Sequence, residues 1–311
     1  MTTRLIADIG GTNARFMLVK AGAPAGRRWD AKVADYPDFA AALRAYLERS
    51  GTPAIDEICV DVAGPVSDGA ARLTNAPWQF SEAELRALTG AGRVRLFNDL
   101  EAVAFAIPFL SDSRVALDTD HPRAGKKGAP TYIIAPGTGF GAGLYAPYGG
   151  EMGFGNAFGT EACHARMVLA EGALLEKLSR VVPANDHTPE RFLAGPGLTR
   201  LDRALNGKTR QGEEITEAAR SGLPDAVAVA QAYLDMLARF AGAATLITGS
   251  FGGVYLAGGI VAGLAPLIEP DRFRKIFNNH PPMVDMLDTV PLFLVNEKDP
   301  ALLGLSRYRF T

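Results

Sequence analysis

One design occurs twice along this chain and narrows its possible folds more than any other property. Residues 4–9 (RLIADI) and 14–20 (ARFMLVK) are β-rich runs joined by GGTN, and residues 131–147 (TYIIAPGTGFGAGLYAP) repeat the arrangement around GTG. An apolar run, a glycine turn and a second apolar run predict a β-hairpin. Each hairpin is followed by helical patterns and by further strands. In the first half, FAAALRAYLERSG has helical spacing, EICVDVAGPV is a short apolar run, and VRLFNDL is another strand before the helix-like EAVAFAIPFL. In the second, GGVYLAGGIVAG reads as strand, glycine turn and helix start, and PLFLVNEKDPALLGLSRYRF as strand, break and helix. Strands alternating with helices predict an α/β layer with a partly parallel sheet, built twice, with a cleft between the halves as the expected place for a ligand.

Composition removes several functional classes. The 311 residues carry 32 basic and 34 acidic side chains, and no basic block stands out that would neutralise a nucleic acid or an anionic membrane surface. Nucleic acid and membrane are therefore not expected partners. The opening MTTRLIADIGG breaks its apolar run at Asp8 and the glycines, too early for a signal peptide or membrane helix, so a cytoplasmic protein is expected. Cys59 and Cys163 have no CxxC partner and read as packed thiols.

Three segments hold residues suited to chemistry. In DIGGTNAR, the turn at Gly10–Gly11 exposes N–H groups, Thr12 and Arg15 add donors for phosphate, and Asp8 suits a magnesium ion, directly or through water. A plain hairpin turn explains the same residues. In APGTGFGAG, Gly137, Gly139 and Ala142 fit a dinucleotide fingerprint, but that motif needs a helix after the turn and GLYAPYGG is strand-like. A glycine hairpin cradling phosphate, with Thr138 as an added donor, stays open. In LFNDL, a strand delivers Asn98 and Asp99 to its carboxyl end, where Asp99 could take a proton and Asn98 orient a hydroxyl. The pair could equally cap the following helix.

The order of the motifs decides among these readings. DIGGTNAR, VAGPV, LTNAPW, FNDLEAVAFAIP, PGTGFGAG, GGE, ERFLAGPGL and GGVYLAGGIV resemble, from end to end, the bacterial ATP-dependent glucokinases of the non-ROK type. The resemblance implies the two-lobed, actin-like ATPase (ribonuclease H-like) fold, with residues 1–109 plus 298–311 as a small α/β lobe and 110–297 as a large one. ATP and a hexose would share the interlobe cleft. It implies ATP contacts at Asp8, Gly10, Gly11, Thr12, Asn13, Gly137, Thr138, Gly139, Gly258 and Gly259, with magnesium at Asp8. It gives Asp99 the place of the catalytic base, and makes Asn98, Asp99, Glu151 and Glu190 the sugar-binding set. A homodimer is implied by the family alone.

The chain departs from the family where a sugar-contacting histidine is usual: GEMGF puts Phe154 there. Phenylalanine offers no hydrogen bond to a hydroxyl. Two alternatives to a glucose kinase follow, namely a kinase for a different or modified sugar and a non-catalytic sugar sensor. Of the histidines, His164 is expected on the surface of a helix over TEACHARMVLA, and His187 is the other candidate to face the sugar. The ROK branch carries a cysteine-rich zinc motif that this sequence lacks, so zinc is not expected.

Overall fold

The computed structural model describes residues 2–73, 76–118, 123–148 and 153–310. The chain forms two compact units, Met1–Phe109 with Lys298–Thr311, and Leu110–Glu297. Each has its own apolar core.

The first unit is organised around strand β1 (Thr3–Ile9), which pairs antiparallel with β2 (Asn13–Lys20). The short strands β3 (Ala23–Pro24) and β4 (Trp29–Lys32) both pair with β2. Helix α1 (Phe39–Arg49), capped by Asp38, leads to β5 (Glu57–Val62), which lies parallel to β1. A small sheet of β6 (Val66–Ser67), β7 (Ala70–Arg72) and β8 (Gln79–Ser81) precedes helix α2 (Glu82–Thr89). Strand β9 (Arg93–Asn98) joins β5 in parallel and runs into helix α3 (Asp99–Ala106).

Alternation along β1 decides what each face meets. Leu5, Ala7 and Ile9 enter a core with Phe16, Phe39 and Tyr46, while Arg4, Ile6 and Asp8 point the other way. A C-terminal helix, Pro300–Arg307, packs against α3 so closely that a Cβ at Gly304 would lie 2.0 Å from the Ala102 carbonyl oxygen. Arg4 Nη1 holds the carbonyls of Leu305 and Ser306 at 2.9 and 3.2 Å, tying that helix to the unit's first strand.

The second unit repeats the plan. Strands β10 (Arg114–Ala116), β11 (Thr131–Pro136), β12 (Phe140–Pro147) and β13 (Gly155–Thr160) come first. Helices α4 (Gly172–Ser179), α5 (Pro189–Leu193), α6 (Gly195–Asn206), α7 (Gly212–Arg220) and α8 (Pro224–Thr248) follow. Then come β14 (Gly253–Leu256), α9 (Gly259–Leu264), α10 (Pro270–Asn278), α11 (Val284–Asp288) and β15 (Leu292–Val295). The sheet runs β10-β15-β14-β11-β12-β13, with β11–β12 antiparallel and β14 and β15 parallel to β11. The glycine turn after β11 enters a strand and not a helix, which excludes a dinucleotide fingerprint on geometry. Among the described residues, no helix is long and apolar enough to cross a membrane.

One expected element is absent. TEACHARMVLA forms a single 3-10 turn, Ala162–His164, and no helix runs through 165–170. The 3-10 turn releases the chain so that Leu169 and Ala170 reach the core from a non-helical segment, and packing overrides the local pattern.

Candidate active site

In the first unit, the β1–β2 turn is closed by Gly10 N–H donating to the Asn13 carbonyl at 2.9 Å. Val33 N–H donates to the Thr12 carbonyl at 3.0 Å, and Lys32 Nζ donates to Asn13 Oδ1 at 2.7 Å. The Thr12 side chain is left exposed. Lys32, brought in from β4 opposite Asn13, adds a cation that sequence reasoning did not single out.

Strand register sets a row of ionisable groups across this sheet. Asp30, Arg15, Asp8 and Asp61 are successive partners on β4, β2, β1 and β5, so their side chains share one face. Arg15 donates to Asp8 Oδ2, and the Asp8 side chain retains 18% exposure. Burial opposes the Arg15 charge, but Asp8 beside it outweighs that and raises the guanidinium pKa. Asp61 is fully buried, and neither of its oxygens meets a donor. Burial first, then the charges of Asp8 and Asp99, push its carboxyl well above the usual range. Two ionised carboxylates cannot bond each other. The direction of that shift favours the protonated form of Asp61, the form able to donate to Asp8. The sequence signal was an acid inside the apolar run EICVDV, which reads as an ordinary strand until β1 is laid beside it.

Asn98 and Asp99 stand where β9 becomes α3. Asn98 Oδ1 accepts from Leu100 N–H at 3.0 Å as the helix cap, and Asp99 Oδ1 accepts from the same N–H at 2.9 Å. Capping and chemistry are compatible here, since the cap holds each carbonyl or carboxylate oxygen at a fixed place on the strand end. Asn98 Nδ2 reaches the Gly64 carbonyl at 3.4 Å.

In the second unit, Gly137, Thr138 and Gly259 converge on a cavity of about 900 Å³. Leu198, Ile260, Thr199 and Arg200 also line it. Gly258, at φ 90°, would place a Cβ 2.3 Å from the Pro136 carbonyl oxygen, so only glycine brings α9 this close to the end of β11. Thr199 and Arg200 of α6 and Ile260 of α9 were illegible in the sequence because they meet only in the folded unit. Arg200 is bonded to the Arg191 carbonyl at 2.9 Å, and burial lowers its pKa.

Glu190 Oε2 accepts from Phe140 N–H at 2.7 Å, immediately beyond the Gly137–Gly139 turn. Glu151 lies outside the described residues. Phe154 is half-exposed, and its carbonyl accepts from Tyr148 N–H at 2.7 Å. His187 does not supply the missing histidine as a free group: Nε2 lies 2.9 Å from the Val182 carbonyl and the ring packs edge-on to Phe192. His164 and Glu161 are exposed on the 3-10 turn, with ligand atoms of Glu161, Cys163 and His164 within 4.8 Å of one another. Burial and Glu161 push the Cys163 thiol up to about 11, and that of Cys59 is pushed by burial to about 12, so both are protonated near neutrality and neither is a ready nucleophile.

These arrangements match known proteins along the whole chain. The family profile described as Glucokinase matches residues 5–310. A glucokinase of Caulobacter vibrioides is 32% identical, the alignment covering 96% of this chain and 93% of the relative. One of Marinobacter nauticus is also 32% identical, covering 96% and 95%. Among solved structures, the glucokinase of an Antarctic psychrotroph superposes with a TM-score of 0.85 at 28% identity, covering 99% of this chain and 98% of the other. The Balamuthia mandrillaris glucokinase in complex with glucose gives 0.76 at 19% identity, covering 99% and 93%, which adds support for the fold. With its paired strand–glycine–strand hairpins on two α/β units of the actin-like ATPase fold, the chain belongs to the glucokinase family of sugar kinases.

Proposed function

We propose that the protein phosphorylates glucose with ATP, giving glucose 6-phosphate and ADP. The observation that carries this reading is the convergence of the Gly137–Thr138 turn and Gly259, far from it in sequence, on one cavity of about 900 Å³ suited to a nucleotide. Asp99 takes the proton of the attacking hydroxyl as its oxygen bonds to the γ-phosphorus, and the bridging oxygen leaves with ADP. Asn98 Nδ2, Glu151 and Glu190 hold the sugar hydroxyls. The Gly10–Thr12 and Gly137–Gly139 turns offer N–H groups and the hydroxyls of Thr12 and Thr138 to phosphate oxygens, where charge is redistributed in the transition state.

Asp8 fits a magnesium ion. Its oxygens are hard donors, and the side chain stays partly open although Arg15 and Asp61 flank it. Bound there with the nucleotide, magnesium would neutralise phosphate charge. A reaction that draws on ATP fits the cytoplasm.

The test is ADP release followed over a panel of hexoses, N-acetylhexosamines and ketoses. Glucose is expected to give the highest kcat/KM, and Asp99→Ala to lower kcat by about 10²–10⁴-fold while leaving ATP binding intact. Near-normal turnover in that variant would remove Asp99 from the role. No ADP with any sugar would sink the kinase reading.

A further inference from the structure

Glu190 is joined to the second glycine turn in a way that sugar binding does not require. Its Oε2 accepts from Phe140 N–H at 2.7 Å, the first residue after Gly139. Both carboxylate oxygens lie over that glycine, 3.7 and 3.9 Å from the place a Cβ on Gly139 would take. The same α5–α6 corner also holds the turn's first residue, where Gly195 N–H donates to the Gly137 carbonyl at 2.8 Å. Within the turn, Gly137 N–H is already committed to the Gly139 carbonyl at 2.7 Å. The turn therefore hangs between a side-chain acceptor and a backbone donor of one short segment.

That segment is itself anchored. Phe192 and Leu193 are buried, and the buried Tyr233 hydroxyl of α8 donates to the Leu193 carbonyl at 2.6 Å. Phe140 is buried edge-on to Phe240 of the same helix. A charge-assisted bond from Glu190 between two such fixed points sets the turn's position as a strut does. Oε1 of Glu190 takes no part in it.

We propose that Glu190 is a positioning residue for the phosphate-binding turn as well as a sugar ligand. Oε2 holds Phe140 N–H, Oε1 receives a sugar hydroxyl, and immobilising the carboxylate from the sugar side tightens nucleotide binding. The tether stands on the geometry alone. The coupling rests on the kinase reading above, in which Glu190 touches sugar. Positive coupling of this kind needs no large movement, because a group ordered by one ligand need not be ordered again by the next.

The test measures binding of the non-hydrolysable ATP analogue AMPPNP by calorimetry, with and without glucose, in the native protein, Glu190→Ala and Glu190→Gln. Hydrogen exchange over residues 131–147 is followed in parallel. Glu190→Ala is expected to weaken AMPPNP about tenfold in the absence of sugar, the size of one charge-assisted hydrogen bond, and to speed exchange at Phe140. Glu190→Gln keeps an acceptor oxygen and is expected to stay within about threefold of native AMPPNP affinity, while glucose binding weakens. Unchanged AMPPNP affinity without sugar in Glu190→Ala would overturn the tether, as would a tenfold loss in Glu190→Gln. Weakened AMPPNP with glucose affinity intact in Glu190→Ala would keep the tether and remove the sugar contact. Should Glu190→Ala not fold, Glu190→Gln and the native protein decide: glucose is expected to slow exchange at Phe140, and no change would refute the coupling.

Discussion

The two glycine hairpins share a backbone plan and differ in how their turns are held. The first turn is flanked by ionisable groups: Asp8 against Arg15, the buried Asp61 beside Asp8, and Lys32 on Asn13. The second has no charged residue of its own between Ile134 and Gly143, and is held from outside by Glu190 and Gly195. Both present an exposed threonine at the tip. On the function proposed above, both turns meet phosphate and the first also meets the cation. A turn that meets a cation needs a fixed charge, whereas a turn that cradles phosphate needs fixed N–H groups and little else.

The contrast can be broken at several points. The largest effect is expected at Asp8: Asp8→Ala should lower kcat by about 10²-fold or more and raise the magnesium concentration needed for half-maximal rate, in steady-state assays across magnesium. The corresponding loss at Glu190 is the tenfold change in nucleotide affinity given above, without a change in magnesium dependence. Thr12→Val and Thr138→Val each remove one hydroxyl from a tip, and each should cost about 0.5–1.5 kcal/mol, read as a few-fold rise in KM for ATP.

Asp61 sharpens the comparison through pH. Its carboxyl is raised in the folded protein, so the stability linked to it is fully present below the unfolded value, about 3.9, and is lost as pH rises toward the folded value. Asp61→Asn stays neutral and removes that loss. Thermal melts should place the variant above the native protein at pH 8, with the gap closing toward pH 4; an equal gap at both would show that Asp61 is not protonated on folding. The smallest effect is expected at Phe154. Phe154→His restores a polar group, and KM for glucose should fall a few-fold, about 1 kcal/mol.

How much of this the sequence showed depends on how locally each feature is encoded. The hairpins were legible because glycines punctuate alternating strands, and neither needs a distant partner to declare its shape. Asn98 and Asp99 were legible as a strand end that either caps the helix or carries chemistry, and the structure shows the cap. TEACHARMVLA misled because its spacing of apolar residues mimics a helix, while the core draws Leu169 and Ala170 in from a non-helical chain. Asp61 stayed hidden for a different reason: its meaning comes from Asp8 on a neighbouring strand, more than fifty residues earlier. Thr199, Arg200 and Ile260 likewise acquire a common purpose only when α6 and α9 fold around one cavity.

The helix Pro300–Arg307 carries a consequence for biosynthesis. It belongs to the first unit, packs on α3, and receives Arg4 from that unit's first strand. A ribosome therefore emits everything the second unit needs before it emits the last piece of the first. The nascent chain can complete its middle while its amino-terminal third still waits, with the α3 surface around Ala102 uncovered. Stop codons introduced shortly before residue 300 would release a chain whose second unit is whole and whose first is not, and this is where chaperone dependence during translation should concentrate.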